Sequence, residues 1–299
     1  MAPGPGGRSL MDGAVEHLEY EVVDVFTDVA FAGNPLAVVL GADDLDTASL
    51  QALAKEFQLS ETAFPMAATD GADYRLRIFT PVMELPFAGH PSVGAAWVLG
   101  QRGLLRAGTV VQSCGAGLLC LRVAPDSGPV TLTGGLPSVG PGLEALPLLA
   151  AVGLTMDDLA GEPREASCGL GFVVLPVVAG ALSRVVVDLA ALRTATTAGG
   201  GVSVVEWDGS AARCRVFAVG AGVEEDPATG SAALALGAWL VATAAVPGDG
   251  TTAYDVVQGV ELGRPSRLVC TVSAAAGQAV SCTVRGDVVP IASGVVRRP

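Results

Sequence analysis

The chain has 299 residues, 51% of them hydrophobic but only 5% aromatic, and a formal net charge of −13. That length holds one large domain or two lobes with a substantial core. The charge repels phosphate backbones and anionic lipid, which argues against nucleic acid and membrane partners while leaving room for a locally positive pocket.

Met1 to Arg8 is rich in Gly and Pro and lacks an apolar h-region, so residues 1–18 are expected to be a disordered leader and not a signal peptide. Glu19 to Val25 alternates like a strand. Asn34-Pro35 is expected to turn the chain, with Leu36 to Leu40 as the returning strand. Thr47 to Phe57 has helical spacing, capped by Asp46 or Thr47. Glu61 to Met66 and Tyr74 to Phe79 read as strands.

Phe87-Ala88-Gly89-His90-Pro91 then leads into Ser92 to Leu99, a segment almost without charge. Pro91 suits the first turn of a helix, and a helix apolar on all sides must be enclosed by protein. The second half echoes this. Arg215-Val216-Phe217 resembles Arg77-Ile78-Phe79, and Asp226-Pro227-Ala228-Thr229-Gly230-Ser231 precedes the apolar run Ala232 to Val246. That run is shorter than a membrane span and reads as a buried helix.

The echo points to an internal duplication: an α/β (α+β) fold of two pseudo-symmetric lobes, each a curved sheet around a central apolar helix. The N-terminal lobe is expected over 19–130, joined by 286–299, and the C-terminal lobe over 131–285. The Gly/Pro-rich stretch from Pro125 to Pro147 is the expected connection, and the active-site cleft is expected between the lobes.

None of the six cysteines forms a C-x-x-C pair, and there are two histidines. No zinc ligand set is present, and no metal or organic cofactor is expected. Reduced thiols fit a cytoplasmic location.

Two buried helix starts would offer unpaired N–H groups and the positive ends of two helix dipoles. Facing each other across a cleft, the Gly89-His90 and Gly230-Ser231 starts would bind a small carboxylate-bearing metabolite. A glycine before a helix is also simply a turn. His90 at such a start stays neutral and can carry a proton or a hydrogen bond, or it is a cap or core histidine. Asp226 faces the same choice, between a role in the site and capping an Asp-Pro turn. Glu61, in Ser60-Glu61-Thr62-Ala63-Phe64, becomes an acid/base if the fold buries it; in isolation a Glu at a helix–strand junction is more often exposed.

Seven segments stand in an order that resembles the phenazine-biosynthesis isomerase (PhzF-like) family. They are Asp24 to Thr27, Phe31 to Val38, Ser60 to Phe64, Arg77 to Pro81, Phe87 to Pro91, Glu225 to Ala232, and Gln258-Gly259 followed by Gly263 to Ser266. The resemblance runs from about Tyr20 to the C-terminal region. It implies a diaminopimelate-epimerase-like fold, a homodimer, and a cofactor-free proton shift like the isomerisation of a dihydro-hydroxyanthranilate in a biosynthetic pathway of secondary metabolism. It implies further that Glu61 is the proton carrier, with His90 and Asp226 as its polar companions. Ser60, Gly89, Gly230 and Ser231 then belong to the substrate site.

Two departures bear on substrate choice: Phe217-Ala218-Val219 where the family usually has Phe-Ala-Pro, and Ser92 where a Thr often follows the loop. The absence of cysteine at either helix start argues against the two-thiol racemases that share this fold. The expected activity is thus an isomerase acting on an unsaturated or cyclic amino-acid-like carboxylate. The alternatives are a non-catalytic metabolite- or protein-binding member of the fold, or an epimerase, lyase or hydrolase using the same site.

Overall fold

The computed structural model describes residues 17–196, 198–220 and 222–299. Most of the expected leader lies outside the described residues, and residues 17 and 18 already belong to the first strand.

The first half contains β1 (His17–Val25), β2 (Asn34–Val39), α1 (Thr47–Phe57), β3 (Glu61–Met66), β4 (Tyr74–Phe79) and β5 (Glu84–Leu85). It continues with α2 (Gly89–Gln101), β6 (Gly108–Cys114), β7 (Gly117–Val123) and β8 (Val130–Thr133). Next come β9 (Ser138–Gly142), α3 (Ala145–Ala151), β10 (Arg164–Ser167), β11 (Gly171–Val177), α4 (Leu189–Ala195), β12 (Gly201–Trp207) and β13 (Ala211–Phe217). The chain ends with α5 (Gly230–Ala242), β14 (Gly250–Gln258), β15 (Ser266–Ala275), β16 (Gln278–Gly286) and β17 (Val288–Arg297).

The pairing pattern is written twice. β1–β2 is antiparallel, β2–β3 parallel, β3–β4 antiparallel, β4–β6 parallel, and β6–β7–β8 antiparallel. β10 to β16 repeat the same sequence of orientations. Thr62↔Phe79 in one copy matches Val202↔Phe217 in the other, and Leu121↔Leu132 matches Cys270↔Val284. The two copies join where β8 pairs with β16, and there the equivalent residues Leu132 and Val284 pair with each other. The pseudo-twofold axis therefore passes through that pair.

Side chains repeat as well. Arg77 forks onto Glu84 and stacks over Phe79, while Arg215 forks onto Glu225 and stacks over Phe217.

Each apolar helix is wrapped by its own strands, α2 by β1, β2, β3, β7 and β8 and α5 by β9, β10, β11, β15 and β16. Residues of α2 from Gly89 to Leu99 and of α5 from Gly230 to Val241 are all buried. Burying a leucine such as Leu234, Leu236 or Leu240 contributes about 1.5–3 kcal/mol, so helices with no polar face are held by enclosure and not by intrinsic propensity. The six cysteines are all free. Among the described residues no helix is long and apolar enough to cross a membrane.

One sequence expectation needs correction. Asn34-Pro35 is not a turn but the start of β2, paired with Val25 and Asp24. The chain reverses earlier, between Phe26 and Gly33, and Pro35 sits close to the strand's start, where a missing N–H is tolerated. The chain passes from one copy to the other within the Pro125 to Pro147 stretch, which also supplies β8 to the junction and β9 to β10. At the other end, β17 pairs along the whole of β1.

Candidate active site

The starts of α2 and α5 meet. A Cβ placed on Gly89 would lie 3.0 Å from both Gly230 Cα and Ser231 N, so only glycine allows the two backbones this approach. Neither helix start is capped by a side chain. A cavity at the meeting point is lined by Gly89, His90, Gly230 and Ser231, with Glu61, Asp226 and Thr229. Its remaining wall is apolar: Leu85, Phe87, Ala88, Leu170, Phe172, Gly200, Ala218 and Val223. Among the described residues no lysine or arginine lines it, so the positive potential available to an anion comes from helix N–H groups. The free space is about 30 Å³, far below the several hundred Å³ of a metabolite pocket.

Glu61 opens β3 and is 6% exposed, His90 is 3% exposed, and Asp226 is 5% exposed. Burial raises the Glu61 carboxyl well above its usual range, and the nearby Asp226 charge adds to the rise. Burial lowers His90 to about 3, so the imidazole is neutral. Glu61 Oε2 and His90 Nε2 face each other at 3.5 Å, and neither hydrogen-bonds to another described group. With a neutral imidazole this contact is not an ion pair. Burial pushes Asp226 up to about 6, against the hydrogen bonds it accepts.

A polar net holds these groups. Asp226 accepts from Asn34 Nδ2 at 2.8 Å and from Thr229 Oγ1 at 2.5 Å. Gln258 donates to the Asp226 carbonyl at 2.7 Å and to Thr229 Oγ1 at 3.0 Å, and accepts from the Thr229 N–H at 3.1 Å. Asn34 Nδ2 also reaches Ala228 O at 2.9 Å and His90 Nδ1 at 3.2 Å. Ser60 does not line the cavity; its hydroxyl donates to Asn34 Oδ1 at 2.8 Å. The structure thus brings six of the seven site residues expected from sequence to the cavity and sets Ser60 behind it.

Asn34, Thr229 and Gln258 carry the net, yet the residue-by-residue reading gave none of them a role. All three stand inside segments that carried the family resemblance, and that was the only signal for them.

The pseudo-twofold axis makes the site one-sided. Glu61 pairs with Leu36 as Gly201 pairs with Phe172. Gly201 has φ +112°, and a Cβ there would lie 2.1 Å from Phe217 O, so no side chain fits opposite Glu61. By the same register Ser60 is matched by Gly200 and Asn34 by Leu170. Asp226 is matched by Leu85, through the Val216↔Asp226 bridge and the Ile78↔Leu85 pair.

Known proteins resemble the chain over most of its length. The family model described as phenazine biosynthesis-like protein matches residues 23–294. An uncharacterized isomerase of Mesorhizobium japonicum is 35% identical, covering 92% of this chain and 97% of its own. The trans-2,3-dihydro-3-hydroxyanthranilate isomerase of Pseudomonas aeruginosa is 34% identical, covering 92% of this chain and 98% of its own. A Bacillus anthracis phenazine biosynthesis protein of the PhzF family superposes with a TM-score of 0.83 at 24% identity, covering 94% of this chain and 99% of its own.

Proposed function

The chain belongs to the phenazine biosynthesis-like family and is an isomerase, and from that premise we propose that Glu61 is its single acid/base. One observation carries the reading. Glu61, the buried acid opposite Nε2 of the neutral His90, lies on one side of the cavity, and the equivalent place on the other side is a glycine that cannot bear a side chain. A racemase needs a base on each face; a proton shift across one face needs one base that becomes the acid.

The uncapped helix starts hold the substrate carboxylate, and the apolar wall takes its hydrocarbon part. Glu61, as carboxylate, accepts a proton from an acidified carbon. The electron pair of that C–H bond moves into the conjugated system, and Glu61 returns the same proton to a second carbon on the same face. Atoms and charge balance without a further reactant. The raised affinity of Glu61 for a proton brings it closer to the carbon acid, and fixed positioning supplies much of the rate. The substrate class follows the P. aeruginosa relative: an unsaturated or cyclic, amino-acid-like carboxylate, with trans-2,3-dihydro-3-hydroxyanthranilate the first compound to try.

Glu61→Gln tests the role. Loss of turnover by at least about 10²-fold with ligand affinity kept supports it; turnover close to wild type removes Glu61 from the chemistry.

A further inference from the structure

We propose that Asn34 is a positioning residue that locks His90 in the tautomer bearing its proton on Nε2, so that the N–H is aimed at Glu61. Asn34 is fully buried, and its amide has a donor end and an acceptor end whose orientation the neighbours decide.

At the donor end stand Ala228 O at 2.9 Å, Asp226 Oδ1 at 2.8 Å and His90 Nδ1 at 3.2 Å. A backbone carbonyl can only accept, whatever the protonation of the carboxyls around it. Turning the amide over would place Asn34 Oδ1 against Ala228 O and Asp226 Oδ1. The Ser60 hydroxyl, which donates to Oδ1 at 2.8 Å, could accept from an NH₂ as readily and does not decide the orientation. The two oxygens thus fix the amide with its N–H groups toward His90. The NH₂ has two hydrogens for three contacts, and the one to Nδ1 is the longest; even so, a proton on Nδ1 would set N–H against NH₂ with no lone pair between them, so Nδ1 is bare. The neutral ring then carries its proton on Nε2, the atom 3.5 Å from Glu61 Oε2.

The consequence is directional. An imidazole in this tautomer turns its N–H, 3.5 Å away and short of a hydrogen bond, toward Glu61 and has no lone pair there to take a proton from it, so His90 favours the carboxylate form and does not compete as the base. That half of the inference rests on Glu61 being the proton carrier; the tautomer itself does not.

The test uses ligand-free protein. The chain has two histidines, His17 and His90, so long-range proton–nitrogen spectra of histidine-labelled protein at pH 7 resolve each ring. The expected result for wild type is one His90 form with Nδ1 bare and Nε2 protonated. In Asn34→Ala the donor is gone, and the Nδ1-protonated form is expected to appear alongside it, with kcat down about 10²-fold and KM within a few fold. A wild-type His90 protonated on Nδ1, or as the cation, overturns the proposal; this arm needs no variant to fold. A folded Asn34→Ala protein whose His90 keeps the wild-type form unmixed overturns it too, whatever its activity. Because the spectra need no substrate, failure here is separable from failure of the proton-shift reading.

Discussion

Asp226 shows at the scale of one residue what burial costs the site. Its carboxyl is raised from 3.8 to about 6, burial outweighing the Thr229 and Asn34 hydrogen bonds. A raised acid keeps its proton in the folded state where the unfolded chain has lost it. Its contribution to stability is therefore complete below about pH 4 and is lost as pH rises through about 6. Asp226→Asn removes that slope. Urea unfolding of the variant relative to wild type is expected to shift in the variant's favour by about 2–3 kcal/mol between pH 4 and pH 7.5. His90, held down to about 3, has the opposite slope between about 3 and 6.5, but it is present in both proteins and cancels in the difference; the share of the Glu61 rise that comes from the Asp226 charge is lost in the variant and shifts the difference the same way. A difference that does not change with pH would show that Asp226 titrates as it does in the unfolded chain. At this scale the sequence was only partly legible. Glu61 could be named, but its burial comes from β3 packing beneath α2 and from Asp226, 165 positions further along the chain. Asn34 was misread as a turn because Asn-Pro is a turn signal whenever the strand partner is unknown. Ser60 was placed in the substrate site because its motif touches that site, whereas its side chain stands behind the cavity against Asn34 and Glu61.

Among elements, the two apolar helices were the most legible features. Enclosure was implied by their lack of charge, and their matching loops implied the duplication. Their helix starts depend on glycine. In Gly89→Ala the new Cβ meets backbone at 3.0 Å, and backbone cannot swing aside as a flexible side chain does. The variant is expected to lose about 1–3 kcal/mol in urea unfolding and at least about tenfold in ligand affinity by calorimetry. Unchanged affinity would mean that the helix starts do not hold the ligand. The strand order was less legible, because parallel pairs such as β2–β3 and β13–β14 join segments separated by helices and leave no local turn signature. The role of β8 as the junction was hidden for the same reason: its partner β16 lies about 150 positions away.

For the whole molecule, the two copies are held by more than the β8–β16 pair. Arg264, in the loop between β14 and β15, donates to Asp24 Oδ1 at 2.5 Å, to Ala32 O at 2.8 Å and to Gly33 O at 2.8 Å. Burial raises Asp24 despite this guanidinium and the Phe31 N–H. Arg264→Met leaves that buried carboxylate without its cation and is expected to lower stability by about 2–4 kcal/mol. Arg267→Met, which breaks the exposed pair with Asp255, is expected to change little. Equal effects would deny Arg264 its part in joining the copies. The pseudo-twofold axis builds a symmetric cage of sheets and helices, and the side chains within it break the symmetry, with Asn34, Ser60, Glu61 and Asp226 on one side and Leu170, Gly200, Gly201 and Leu85 on the other. That asymmetry is the basis for assigning a one-base proton shift, and it was invisible before the register was known. The most direct test is turnover in D₂O followed by proton NMR, with trans-2,3-dihydro-3-hydroxyanthranilate and related unsaturated amino acids, for wild type and Glu61→Gln side by side. Wild type is expected to convert at least one of them, with any solvent deuterium entering the product at a single carbon and on one face, and Glu61→Gln to bind that compound without converting it. Conversion by Glu61→Gln at the wild-type rate would contradict the account.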